Sequence, residues 1–157
     1  MKFFFILNLL AALGFAWAVG TFSLLTLVGG FFIGYCLITA YCLTKQTSDY
    51  HLRLLHAIWL FFYFHYELVT SSIKVLKDIV TPKQSSKPGF VAMELTAETP
   101  LEIFFTANLI SLTPGTLSIA LSDDHRTLFV HAMFVDNAEA TIASLKHFES
   151  VILRAFR

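Results

Sequence analysis

Residues 3–44 read FFFILNLLAALGFAWAVGTFSLLTLVGGFFIGYCLITAYCLT, a run of 42 positions without one Asp, Glu, Lys or Arg. One helical crossing of a bilayer takes about 20 residues, so the run is long enough to cross twice. Backbone groups cannot stay unpaired in hydrocarbon, so both crossings are expected to be helical. The sequence places them at about residues 3–19 and about 22–43, with a reversal near Val19-Gly20-Thr21, where glycine relaxes the backbone. Residues 1–44 are thus expected to form two transmembrane helices. On the second, Gly30 and Gly34 make a small-xxx-small pair on one face, a groove that lets another helix approach closely.

The rest of the chain agrees with a membrane class. The 157 residues are 56% hydrophobic with a net charge of zero, and the mean hydropathy is +0.68, above what soluble domains show. Basic residues are scattered singly, so nothing resembles a phosphate-backbone grip, and nucleic acid is not expected as a partner. Cys36 and Cys42 stand six apart inside the apolar run, on different faces of one helix. That spacing suits neither a disulfide nor a zinc site, and both read as apolar fillers. Lys2 and Ala16-Trp17-Ala18 imitate a signal peptide, but the apolar run continues past them without a polar spacer. With two crossings, Lys2, Lys45, Arg53, Lys74, Lys77, Lys83 and Lys87 share one side, which the excess of positive charge assigns to the cytoplasm. A multi-pass protein of the cell membrane with both termini cytoplasmic is the expectation.

Residues 51–81 are amphipathic. At 100° per residue, Leu55, Ile58, Phe62, Val69, Ile73, Leu76 and Val80 fall on one stripe, and Arg53, His56, Glu67, Lys74 and Asp78 gather opposite. The segment is expected as an interfacial helix along the cytoplasmic surface or against neighbouring membrane helices, with Trp59, Tyr63 and Tyr66 keeping their polar atoms wet. Its apolar middle, Ala57 to Phe64, leaves a third transmembrane helix as the alternative. Glu67, with His65 close by and Lys74 on the same face, is the candidate for an ion path, against the plainer reading of an interfacial, solvated or ion-paired carboxylate.

Thr81-Pro82 should stop that helix, and residues 82–89, with two prolines and several serines and lysines, read as a linker. From residue 90 the periodicity changes. Val91, Met93 and Leu95 alternate as in a half-buried strand. Thr99-Pro100-Leu101-Glu102 combines an N-cap threonine, an N1 proline and a glutamate three residues after the cap, and the helix it starts runs through Leu101, Phe104, Phe105, Leu109 and Leu112 to Thr113-Pro114-Gly115. Leu117, Ile119 and Leu121 lead to a polar turn at Asp123 to Arg126 and a second strand over Leu128 to Met133, an antiparallel hairpin. Asp136 and Glu139 are expected to open a final helix with Ile142, Leu145, Phe148, Ile152 and Phe156 inward and with Arg154 and Arg157 suiting its C-terminal dipole. Residues 90–157 are thus expected as a small cytoplasmic α+β domain of order βαββα. The fold class is an α-helical membrane protein: a membrane hairpin, an interfacial amphipathic helix and that domain. So small a core invites docking on partners.

Catalytic and cofactor signatures are absent. There is no glycine-rich phosphate loop, nucleophile elbow or metal-ligand spacing, and the six histidines (51, 56, 65, 125, 131, 147) form no ligand set. Neither a cofactor nor a small-molecule substrate bound by this chain alone is expected, and it is not expected to be an enzyme.

The segments Lys77-Asp78-Ile79-Val80-Thr81-Pro82, Lys87-Pro88-Gly89, Ala107-Asn108-Leu109-Ile110-Ser111-Leu112-Thr113-Pro114-Gly115-Thr116, Ser122-Asp123-Asp124 and Phe129-Val130-His131-Ala132 resemble the signature of the E subunit of the multisubunit (Mrp-type) sodium/proton antiporter. The hydrophobic N-terminus with Phe22-Ser23-Leu24-Leu25 and the stretch ending Tyr66-Glu67-Leu68 extend the likeness over nearly the whole chain. The resemblance implies an accessory, non-catalytic subunit of a hetero-oligomeric complex exchanging sodium or potassium for protons. It also makes Asn108, Thr113, Pro114 and Gly115 the candidate subunit-docking segment. An independent membrane-anchored regulatory or ligand-binding module is the competing reading. Which cation moves, whether there are two crossings or three, and the contacts with partners stay open at this level.

Overall fold

The computed structural model describes residues 2–45, 50–82 and 85–157; Met1 and Lys83 of the expected linker lie outside them. The chain divides into two compact units, Met1–Leu55 and His56–Arg157.

The first unit contains α1 (Lys2–Val19), α2 (Leu24–Lys45) and the start of α3 (Tyr50–Val80). The expected reversal is present: Gly20 adopts φ +73° and donates its N–H to the carbonyl of Trp17 at 3.0 Å. The second helix begins at Leu24 rather than 22, because Ser23 caps it. Ser23 Oγ accepts from Thr26 N at 3.2 Å while Thr26 Oγ1 accepts from Ser23 N at 3.0 Å, a reciprocal arrangement that satisfies two otherwise orphaned N–H groups. Helices α1 and α2 pack through small residues. A Cβ on Gly30 would stand 2.9 Å from Phe15 Cβ and 3.0 Å from the Ala12 backbone, and one on Gly34 would collide with Asn8 Oδ1. The helix that uses this glycine pair is therefore α1 of the same chain. Cys42 is buried and Cys36 exposed, both as free thiols.

The second unit holds most of α3, then β1 (Gly89–Glu94), α4 (Pro100–Leu112), β2 (Thr116–Leu121), β3 (Thr127–Ala132) and α5 (Ala138–Phe156). The sheet is antiparallel in the order β1-β3-β2. Its inner face is made by Val91, Met93, Leu128 and Val130, with Val91 opposite Val130 and Met93 opposite Leu128. Ile110 of α4 and Leu145, Phe148 and Ile152 of α5 close the core, and Leu60, Tyr63 and Phe64 of α3 pack against it. The outer face, with Phe90, Leu117 and Phe129, is bare.

The cap expected on α4 is present in full: Thr99 Oγ1 accepts from Glu102 N at 3.3 Å, and Glu102 Oε2 accepts from Thr99 N at 3.1 Å. Its apolar residues behave differently. Leu101, Phe104 and Leu112 are exposed, whereas Glu102, Thr106 and Ile110 are buried. In β2 the partnership is also polar. Ser118 donates its N–H to Ser111 Oγ at 3.0 Å and its hydroxyl to the Ala107 carbonyl at 2.9 Å, leaving Leu117 and Ile119 exposed. A register shift between Ser118 and Ala120 then turns Leu121 back toward the core.

Two local expectations are corrected. The final helix is capped by Asn137, whose Oδ1 accepts from Glu139 N at 2.8 Å; Asp136 lies before it and pairs with Lys87 Nζ at 2.9 Å. Asp78, expected on a solvated face, is 3% exposed. Its Oδ1 accepts from Ser85 N at 2.6 Å and Ser86 N at 2.9 Å, and Val135 N donates to the Lys87 carbonyl at 2.9 Å, so the residues from Ser85 onward are fastened to the domain.

Candidate functional site

The second unit carries a groove of about 550 Å3. One wall is the polar face of α3, with Glu67, Ser71, Lys74 and Lys77 at helical spacings of three and four. The other is built by the Thr113-Pro114-Gly115-Thr116 turn and the first turns of α5, over a floor of Leu145 and Phe148.

The turn is rigid for reasons its sequence states. Pro114 cannot continue α4, and the freed carbonyls are taken by side chains: Thr113 Oγ1 donates to the Leu109 carbonyl at 2.9 Å and Thr116 Oγ1 to that of Ile110 at 2.6 Å. Gly115 sits at φ +89°, and its carbonyl accepts from Met133 N at 2.8 Å. Only glycine enters that region freely.

The structure brings together Glu67, Lys74, Thr113, Pro114 and Gly115, two groups that the sequence suggested separately. Tyr63 donates its hydroxyl to Glu67 Oε1 at 3.1 Å, so the carboxylate is held at one end of the groove. His65 is elsewhere: it is exposed, its Nδ1 lies 2.8 Å from the Phe61 carbonyl, and its ring packs on Phe61 at 4.2 Å. Asn108 is also apart, exposed and donating to the Phe104 carbonyl at 2.7 Å. Gly30 and Gly34 belong to the first unit. Among the described residues no group of three or more His, Cys, Asp or Glu could hold a metal ion.

Several residues had no sequence signal strong enough to single them out. Glu149 is 1% exposed, and its Oε1 accepts from Thr96 N at 2.6 Å and Ala97 N at 3.0 Å, so it ties α5 to the end of β1. The carboxyl of Glu102 is held down to about 2 by the Arg157 guanidinium, against the opposing effect of burial and with help from the N–H groups of Glu98 and Thr99. Asp78 is likewise depressed: burial would raise it, but the hydrogen bonds from Ser85 and Ser86 outweigh that. Lys87 is raised by its bond to Asp136.

The groove lining thus combines two ammonium groups, several hydroxyls and two carboxylates, Glu67 bound by the Tyr63 hydroxyl and Asp136 paired with Lys87. Residues 9–155 match the family described as Na+/H+ ion antiporter subunit. The chain belongs to that family. The E subunit of the Na+/H+ antiporter of Alkalihalophilus pseudofirmus is 32% identical to it over 98% of both chains. The corresponding E subunit of Bacillus subtilis is 30% identical over the whole of both. A chain of the Mrp complex from a Dietzia species superposes with a TM-score of 0.52 at 32% identity, covering 64% of the present chain and 96% of that one. A chain of an archaeal membrane-bound sulfane sulfur reductase, at 20% identity and a TM-score of 0.56, shares the fold over 95% of the present chain and 98% of that one. The protein is thus a membrane protein of this antiporter family, helical with a small three-stranded antiparallel sheet.

Proposed function

We propose that this protein is an accessory, non-catalytic member of a multisubunit antiporter that exchanges Na+ or K+ for protons. Its task in this reading is to support assembly and transport by seating neighbouring subunits. The observation that carries it is the apolar surface each unit leaves uncovered. Leu10, Leu13 and Trp17 of α1 and Leu25, Phe32 and Leu37 of α2 point outward. Along α3, Leu55, Ile58, Phe62, Val69, Ile73, Leu76 and Val80 are all exposed, while the opposite side packs on the domain core. A soluble monomer rarely leaves so long an apolar stripe bare.

In this reading residues 1–44 cross the membrane twice. Among the described residues α2 alone is long and apolar enough to do so by itself, and Phe3–Val19 is shorter, near the lower limit for a crossing. Helix α3 lies along the cytoplasmic face, residues 82–89 connect it to the βαββα domain of residues 90–157, and both termini are cytoplasmic. Partners are the other antiporter subunits and the lipid bilayer, and the chain needs no enzyme site or cofactor of its own.

Native mass measurement after mild detergent extraction tests this. Co-migration with several hydrophobic subunits is expected; a discrete monomer or homodimer overturns it. Glu67→Gln is expected to lower Na+-dependent proton flux only moderately. Abolished flux in a fully assembled complex would instead put Glu67 on the ion route.

A further inference from the structure

Lys74 and Lys77 line the groove, and no ion pair among the described residues engages either one. Two carboxylates share the lining: Glu67, which accepts one hydrogen bond from the Tyr63 hydroxyl, and Asp136, which pairs with Lys87. The groove offers two ammonium groups and the hydroxyls of Ser71 and Ser144 to an incoming anion, the Thr141 hydroxyl being spent on the Asn137 carbonyl at 2.9 Å.

Next to it runs the bare stripe of α3, where Ile73, Leu76 and Val80 are 45%, 59% and 73% exposed. At 100° per residue Lys77 stands about 40° around the helix from Ile73, between stripe and groove. A groove whose α3 wall presents two ammonium groups outside any ion pair, continuous with an apolar helix face, matches a molecule that is anionic at one end and apolar over the rest. A free anion would leave the stripe without cover, and a purely apolar partner would leave the lysines unmatched.

We infer that this groove is the headgroup site of an anionic phospholipid, its phosphate held by Lys74 and Lys77 and its acyl chains laid along Ile73, Leu76 and Val80. The inference rests on α3 lying at the membrane surface, as proposed above. Lysine on the polar flank of an interfacial helix is the side chain suited to this, since its stem follows the apolar surface while its ammonium reaches the phosphate.

The test uses the full chain in detergent, titrated with phosphatidylglycerol or phosphatidylcholine and read by native mass measurement. Phosphatidylglycerol should be retained preferentially, and the double variant Lys74→Gln/Lys77→Gln should weaken it about 30-fold, from about 1 kcal/mol per lysine at an anionic surface. Lys146→Gln, outside the groove, should change nothing. Equal retention by the double variant, an equal loss in Lys146→Gln, or no preference over phosphatidylcholine overturns the inference. Displacement of the lipid by millimolar inorganic phosphate also overturns it and assigns the groove to free phosphate. A fluorophore on Leu76→Cys, with Cys36 and Cys42 replaced, reports depth through quenching by lipids brominated in their chains. Quenching without headgroup preference rejects the lipid site and leaves α3 at the membrane, whereas absent quenching removes the placement of α3 first.

Discussion

Arg157, the C-cap of α5, grips Glu102 in the first turn of α4 with two hydrogen bonds, Nε to Oε1 at 3.2 Å and Nη2 to Oε2 at 3.4 Å. Glu102 is 5% exposed and also caps its own helix through Glu98 N and Thr99 N, so one carboxylate joins the two helices that cover the sheet. Its folded carboxyl is held at about 2, against an ordinary 4.5. A depressed carboxyl stabilises the fold above its unfolded value and loses that contribution as the pH falls through its folded value.

Arg157→Met should therefore lower the thermal midpoint of the domain at neutral pH by a few degrees, a modest effect because solvent screens a half-exposed guanidinium. The gap between variant and parent in thermal unfolding of the full chain should close as the pH is lowered from about 4.5 toward about 2. A gap that stays constant over that range would show that Arg157 acts through packing instead.

Neighbouring glycines of α2 should respond in opposite ways. The place where a Cβ would go on Gly34 is already taken by Asn8 Oδ1, so the glycine Cα–H points at that oxygen, a contact that recurs where membrane helices approach closely. A Cβ on Gly30 would stand 3.0 Å from the Ala12 backbone, which cannot yield, whereas nothing stands within 4 Å of a Cβ on Gly29. Gly30→Ala and Gly34→Ala should each cost about 1–3 kcal/mol by overpacking and lower the yield of assembled complex; Gly29→Ala should leave yield unchanged. Equal losses at all three positions would mean that helix-wide glycine content matters rather than the α1 contact.

Asn8 reaches the other end of the same unit. Its Nδ2 donates to the Tyr50 hydroxyl at 3.1 Å, and both residues are fully buried. The Tyr50 ring is flanked by Phe4 and Tyr35 at 6.3 and 6.1 Å. In a double-mutant cycle of Asn8→Ala and Tyr50→Phe, stability in detergent should show a coupling of about 0.6–1.5 kcal/mol, the range for polar contacts between membrane helices. Strict additivity would show that the bond contributes nothing to holding α1 and α3 together.

The helix starts and stops were legible because they are local chemistry: Thr99-Pro100-Leu101-Glu102 closes its own hydrogen bonds, and Val80-Thr81-Pro82 breaks a helix wherever it occurs. The direction of each apolar face was less legible. The periodicity of α3 located its stripe, which faces outward as an interfacial helix requires, but gave no sign that Leu60, Tyr63 and Phe64 on the other side pack on the domain core. In α4 and β2 the buried side is partly polar, since Glu102 is neutralised by Arg157 and Ser111, Ser118 and the Ala107 carbonyl satisfy one another. Such pairings cross long stretches of chain and leave no periodic trace, which is also why Lys77, Thr141 and Ser144 were not connected to Glu67 and Lys74.

The turn that closes α4 should be more sensitive at its glycine than at its proline. Gly115 adopts φ +89°, and a Cβ there would lie 3.6 Å from both Met133 Cβ and Val75 Cγ2, an ordinary contact. Space is therefore not what selects glycine; the backbone is. Gly115→Ala should cost about 1–2 kcal/mol from the left-handed conformation alone, and Gly115→Val more, because a β-branched side chain fits that region worst. Pro114→Ala keeps the turn but gives the unfolded chain more freedom, and should cost only about 0.4–1 kcal/mol. Thermal unfolding of the three variants should rank them Val, Ala at 115 and Ala at 114 from least to most stable. If Gly115→Ala were silent while Pro114→Ala collapsed the domain, the stop that Pro114 imposes on α4, not the glycine, would be what holds this wall of the groove.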